Sequence, residues 1–236
     1  MNASEPGPPS ALIVDFGGVM TFAEQDVFDA FCRSTGADPE RLRGIVSGAF
    51  DGRDPDGLVA RRERGEVPLD EFERALASAL SEGLGRPIDP NGLHGRLFAS
   101  ERIDGTMVTA VRTVREAGFA TAMLSNTWGD GSEQEALADL FDAVVLSGRV
   151  GMRKPEARIF LAAAGALGVE PGRCIVVDDI AANVDAAVAL GMRGLLHTDA
   201  PTTIAGLERL LGVRLAGPPA EPDGPAVSDA AQPEVC

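Results

Sequence analysis

Basic residues, cysteine and histidine are all scarce in this sequence, and each scarcity closes off a class of function. Lysine and arginine number 21 against 36 acidic residues, giving a formal charge of −15. A surface that acidic repels phosphate backbones and anionic headgroups, so neither nucleic acid nor membrane is expected as a main partner, and an anionic substrate must be drawn in by local cations. The three cysteines, Cys32, Cys174 and Cys236, show no metal-ligand spacing. Cys174 stands in an apolar run as a small buried hydrophobe, which suits a reducing, cytoplasmic location. His94 and His197 are too separated to read as a metal pair, and neither is expected to be catalytic. No window approaches the ~20 apolar residues that span a bilayer. The opening MNASEPGPPSA has no basic stretch leading into an apolar one, so no signal peptide is expected. No internal repeat supports a solenoid.

What remains is an ordinary globular composition, 44% hydrophobic and 24% charged over 236 residues. Short aliphatic runs read as buried strands: ALIVD ending at Asp15, FATAMLSN from Phe119, DAVVLS from Asp142, CIVVDD from Cys174, and a weaker GLLHT from Gly194. Helical patterns separate them over 106–116, 157–167 and 182–190, each halted by a glycine. Strand and helix in alternation predict an α/β fold with a parallel sheet. Ligands of such sheets bind beyond the carboxyl ends of the strands, where Asp15, Ser125, Asn126, Asp178 and Asp179 fall. Between the first strand and residue 106, about eighty residues carry helical periodicity and no strand, punctuated by Gly36, Gly65, Pro68 and Pro87. This predicts an insert of four or so short helices. After Leu215 the chain is rich in Pro, Ala, Gly and acidic residues and is expected to be disordered.

The polar residues at the strand ends suit phosphoryl transfer, which needs a nucleophile, a cation for the equatorial oxygens and a divalent metal held by carboxylates. Asp15 is the candidate nucleophile. Asp178 and Asp179 are adjacent carboxylates that repel unless a cation lies between them, and with Asp15 they could supply a magnesium site. Lys154, in a turn before a helix, is the candidate cation; Ser125 and Asn126 could cradle a phosphate or cap a helix. Trp128 could line the site or pack in the core, and Arg61, Arg62 and Arg64 could steer an anion or form a solvated helix face.

Together DFGGV, LSNT, GMRKPEARIF and VVDDIAANVDAA resemble the four signature motifs of the haloacid dehalogenase superfamily, over roughly residues 12–196. More narrowly, LSNT, GMRKPEARIF, VDDIAANVDAA and RGEVPLDEF look like the bacterial alpha-glucose-1-phosphate phosphatase subgroup. The resemblance implies a Rossmann-like core over 11–21 and 102–214, a helical cap over 22–101, a flexible N-terminus over 1–10 and a disordered tail over 215–236. It implies a Mg2+-dependent hydrolase of a small phosphorylated metabolite, acting through an aspartyl-phosphate. Carried over by position, Asp15 is nucleophile, Lys154 the catalytic cation, and Ser125 and Asn126 the substrate binders. Asp15, Asp178, Asp179 and the backbone carbonyl of Gly17 are the implied metal ligands.

One position departs from the common pattern. Phosphatases of the superfamily carry a general acid two residues after the nucleophile, and here that residue is Gly17. General acid catalysis contributes roughly 10²–10⁴-fold. A sugar phosphate linked through its anomeric oxygen leaves more readily than a simple alkoxide, and the suspected subgroup resembles this chain in having glycine there. Two alternatives follow from the same glycine: a carbon–halogen hydrolase, whose leaving halide needs no proton, and a catalytically idle binding module.

Overall fold

The computed structural model describes residues 7–50, 54–82 and 84–215, so the tail expected over 215–236 lies, apart from Leu215, outside the described residues. Five strands form one parallel sheet: β1 (Ala11–Val14), β2 (Ala120–Ser125), β3 (Ala143–Leu146), β4 (Cys174–Asp178) and β5 (Arg193–Leu196), ordered β3-β2-β1-β4-β5. Because β1 is central, its side chains are covered on both faces, and all four of its residues are fully buried. That explains why it reads as an unbroken aliphatic run rather than an alternating one.

The alternation is still present in the packing. Leu12 and Val14 face one way, against α6 (Gly105–Glu116) and α11 (Ala200–Leu211). Ala11 and Ile13 face the other, against α9 (Ala157–Ala166) and α10 (Ala181–Ala189). Asp104 caps α6 by accepting from the amides of Thr106 and Met107, and Asp199 caps α11 by accepting from Thr202. The helices expected over 106–116, 157–167 and 182–190 therefore lie within one residue of their observed ends. The last helix, α11, was not foreseen: it follows the Asp199 cap and contributes Leu207 to the core.

Between β1 and α6 the described residues form five helices: α1 (Glu24–Thr35), α2 (Pro39–Phe50), α3 (Leu58–Glu63), α4 (Leu69–Ser81) and α5 (Leu93–Leu97). They close around their own apolar cluster, including Phe28, Leu42, Phe72, Leu76 and Leu93. Each such side chain contributes about 1.5–3 kcal/mol on burial, enough together to order helices too short to persist alone. Trp128, from the loop after β2, inserts into this cluster. The chain leaves and re-enters the sheet layer through paired segments. Phe22 N–H donates to the Arg102 carbonyl at 3.0 Å, Asp104 N–H donates to the Met20 carbonyl at 2.9 Å, and Thr21 bridges Ile103 antiparallel.

Candidate active site

The register of the sheet sets the site. Val14 lies beside Val177 of β4, and Asp15 N–H donates to the Val177 carbonyl at 2.9 Å, so the carboxylates of Asp15 and Asp178 emerge side by side at the carboxyl edge. Lys154 reaches between them. Its Nζ lies 2.6 Å from Asp15 Oδ2 and 2.7 Å from Asp178 Oδ2, with the lysine 2% exposed. The remaining oxygens are also held. Asp15 Oδ1 accepts from Phe16 N–H at 2.6 Å, and Asp178 Oδ1 accepts from Ile180 N–H and Asn183 Nδ2, both at 2.9 Å.

Lys154 arrives there because its backbone is clamped. Asn126 Oδ1 accepts from Lys154 N–H at 2.9 Å, and Asn126 Nδ2 donates to the Lys154 carbonyl at 3.1 Å. The side chain of Asn126 is thus engaged with protein at both ends, and Ser125 stands beside it in the cleft wall.

Charge at this point is unbalanced. One carboxylate oxygen from each of Asp15, Asp178 and Asp179 falls within 4.8 Å of the others, and one ammonium answers two of them. Burial drives the Asp15 carboxyl well above the ordinary range, opposed by Lys154 and reinforced by Asp178 and Asp179. Desolvation and the Asp178 charge push Asp179 up to about 6. Burial works against the charge on Lys154, yet Asp15 and Asp178 prevail and hold its pKa above the usual lysine value. Three converging carboxylate oxygens form a hard donor set of the kind that suits magnesium. Backbone close to Asp179 is indispensable here: Gly18 adopts φ +70°, and a Cβ on it would fall 2.2 Å from Asp179 Oδ2.

The opposite wall comes from the helical insert, and its principal residue was missed in the sequence. Glu63, at the end of α3, is fully buried. Its Oε1 accepts from Trp128 Nε1 at 3.1 Å, and its Oε2 accepts from Arg153 Nε at 2.5 Å and Asn126 Nδ2 at 3.2 Å. Burial raises the Glu63 pKa and Arg153 opposes the shift. In RRERGE this glutamate looks like one more solvated charge, and no periodicity distinguishes it. The adjoining glycine offered a signal: Gly65 adopts φ +73°, and a Cβ there would lie 2.5 Å from the Gly148 carbonyl, so backbone meets backbone at this junction.

Other sequence candidates divide as follows. Trp128 does both things expected of it, lining the cleft while packing within 6.1 Å of Phe28 and 5.5 Å of Phe72. Of the arginine cluster, Arg62 is half-buried at a junction rather than on a solvated face. Its guanidinium donates to the carbonyls of Trp128 (2.6 Å), Gly129 (2.7 Å) and Val67 (2.8 Å), joining insert to core loop. Arg64 Nε donates to Glu156 at 2.8 Å, while half-exposed Arg61 lies 3.7 Å from Glu66. His94 lines the cleft, its ring 4.9 Å from that of Phe98 and its pKa lowered by burial. His197 does not line the cleft, and its Nδ1 pairs with Thr203 Oγ1 at 2.8 Å. Glu101, also missed, lines the cleft and is 6% exposed.

Known proteins share this architecture. Residues 9–191 match the family described as haloacid dehalogenase-like hydrolase, and the chain belongs to that family. It is 31% identical over 210 residues to Phosphatase MT3486 of Mycobacterium tuberculosis (strain CDC 1551 / Oshkosh), covering 85% of this chain and 92% of that protein. It is 30% identical over 195 residues to Bifunctional epoxide hydrolase 2 of Sus scrofa, where the match takes in 76% of this chain but 35% of the relative's length. A solved structure with the same fold is a HAD family enzyme from Bacteroides thetaiotaomicron in complex with magnesium and inorganic phosphate. Its TM-score is 0.57 at 20% identity, covering 81% of this chain and 95% of that one. Among the described residues no helix is long and apolar enough to cross a membrane.

Proposed function

We propose that this hydrolase is a magnesium-dependent phosphatase of a small phosphorylated metabolite, a sugar phosphate by the narrower sequence resemblance, acting through an aspartyl-phosphate on Asp15. The observation that carries the reading is the uncompensated charge at the sheet edge, where Asp15, Asp178 and Asp179 converge around a single buried lysine. Displacement of halide from carbon needs no divalent metal, so a carboxylate trio able to hold one favours phosphate over a carbon–halogen bond.

In this reading Asp15 is held for attack by two contacts, Phe16 N–H on Oδ1 and Lys154 on Oδ2, so the nucleophilic oxygen has little freedom to turn away. Lys154 offsets charge on the transferring phosphoryl oxygens, and the Asn126 clamp on its backbone fixes where the ammonium points. Ser125 offers its hydroxyl to the phosphoryl group. Asp15, Asp178, Asp179 and the Gly17 carbonyl would hold Mg2+, which when bound supplies a Lewis acid for the phosphoryl oxygens. The insert over 22–101 serves as a cap above the core formed by 11–21 and 102–214, and its Glu63 and Trp128 contacts keep water out of the closed cleft. A cytoplasmic location and a soluble, small-molecule substrate complete the proposal.

The test is phosphate release from a panel of phosphorylated metabolites, with anomeric and terminal sugar phosphates included, in the presence and absence of Mg2+. Magnesium-dependent release that disappears in Asp15→Asn is expected. Turnover of haloacids with no phosphate release from any member would overturn the proposal.

A further inference from the structure

Resting on the phosphatase reading, we infer that Glu101 is the proton donor and acceptor of the reaction, delivering a proton to the leaving oxygen and later taking one from the attacking water.

The cleft contains few groups able to do this. Lys154 is locked between Asp15 and Asp178, and Glu63 is held by Arg153. Burial lowers the pKa of His94, and its ring lies against that of Phe98. Glu101 differs from all of them, being 6% exposed, lining the cleft, and having no cation paired with it among the described residues.

Its position is tied to the loop that carries the nucleophile. Thr21 Oγ1 accepts from Gly18 N–H at 3.0 Å and donates to the Phe22 carbonyl at 3.2 Å, and the same hydroxyl lies close enough to the Glu101 carboxyl to lower its pKa. Glu101 is therefore held beside the turn where Gly17 leaves the cleft without a side chain, with Thr21 between them. The fastening is reinforced by backbone: Phe22 N–H to the Arg102 carbonyl, Asp104 N–H to the Met20 carbonyl, and the Thr21–Ile103 bridge. Glu101 thus belongs mechanically to the paired entry and exit segments, and rearrangement of helices α1 to α5 need not displace it.

Burial, with the charge of Glu133 on α7 (Ser132–Glu135), pushes the Glu101 carboxyl up to about 7, and the Thr21 hydroxyl pulls the other way. The remaining titratable groups along the same cleft are His94 on α5, Glu63 on α3, and Asp15, Lys154 and Asp179 on the core edge. A carboxyl protonated near neutrality can give up its proton and recover it within one cycle.

The steps balance. As an Asp15 oxygen bonds phosphorus, the bond from phosphorus to the leaving oxygen breaks and that oxygen takes the Glu101 proton, so a neutral alcohol departs and Glu101 becomes a carboxylate. Water then bonds phosphorus as the Asp15–phosphorus bond breaks. Its proton passes to Glu101, which is restored while phosphate leaves.

Phenyl phosphate and 4-nitrophenyl phosphate separate this role from a structural one, since the two fit a site alike but nitrophenolate leaves with far less need of a proton. Glu101→Gln is expected to lower kcat/KM, which reports the step that releases the phenol, by about 10²-fold for phenyl phosphate and by less than about threefold for 4-nitrophenyl phosphate. Wild-type kcat/KM for phenyl phosphate should fall as pH rises through about 7, a limb the variant lacks. Stability gives the check on folding. A raised carboxyl pKa favours the folded state below the ordinary glutamate range, and that contribution is lost as pH rises through about 7. The variant, which cannot ionise there, should thus melt no lower than wild type at pH 8. Equal losses on both esters, or none on either, would overturn the role of Glu101 while leaving the phosphatase standing. Failure of wild type with Mg2+ to release phosphate from either ester and from every member of the metabolite panel would remove both.

Discussion

The two walls of the cleft treat buried charge in opposite ways. On the core wall, Asp15, Asp178 and Asp179 share one ammonium, so negative charge is left over. On the insert wall, the Glu63 carboxylate faces the Arg153 guanidinium at 2.5 Å and takes two further hydrogen bonds, so little is left over. Ionised groups out of water are costly unless paired. A satisfied pair can therefore act as a fastening, whereas an unsatisfied cluster is a place prepared for a ligand of opposite charge. Substitutions on the core wall should strike turnover, and those on the insert wall, Glu101 apart, should strike stability and closure.

The largest effect is expected from Lys154→Met. Losing the cation that faces the reacting group should lower kcat/KM by about 10³-fold or more. Stability should fall as well, by about 3 kcal/mol, because two buried carboxylates lose their common partner. Phosphate release and a urea titration measure the two. Near-normal turnover would break the comparison on its core side.

Glu63→Gln should show the converse. The amide keeps the shape but strips the Arg153 guanidinium of its carboxylate, and a loss of about 2–4 kcal/mol in urea unfolding is expected. Turnover per folded molecule should change by less than about tenfold, since Glu63 touches Arg153, Asn126 and Trp128 rather than Asp15. If turnover collapsed while stability held, Glu63 would belong with the catalytic wall.

The same contrast accounts for what could be read from sequence. The core wall was legible because β1 and β4 are apolar runs, as is β2 after Thr121, and each ends in polar residues at the sheet edge: Asp15, Ser125 with Asn126, Asp178 with Asp179. Strand chemistry and site chemistry coincide there. Lys154 needed the family motif, since nothing in GMRKP alone says that its backbone is clamped by Asn126. The insert wall was opaque. Glu63 sits among arginines and Glu101 follows a short helix, and both are buried by contacts between segments distant in sequence: α3 with the loop after β2, and the exit segment with the β1 turn. Helical periodicity reports which face of a helix is apolar, but not that a charged residue at its end will be enclosed by another element. Helix α11 was missed for a different reason, lying beyond the last motif.

The smallest effect probes the fastening alone. Arg62 reaches from α3 to three carbonyl oxygens, two of them on the loop that carries Trp128, and a planar guanidinium can serve all three where an ammonium cannot. Arg62→Lys retains the charge and loses the fork, so a destabilisation of about 1–2 kcal/mol is expected from the hydrogen bonds given up. Since Trp128 lines the cleft, a looser junction should raise KM by a few-fold, roughly 1 kcal/mol of binding, with kcat little changed. A fall in kcat at constant KM would mean that the insert does more than close the cleft, and that its wall reaches the reacting atoms through Arg62 as well.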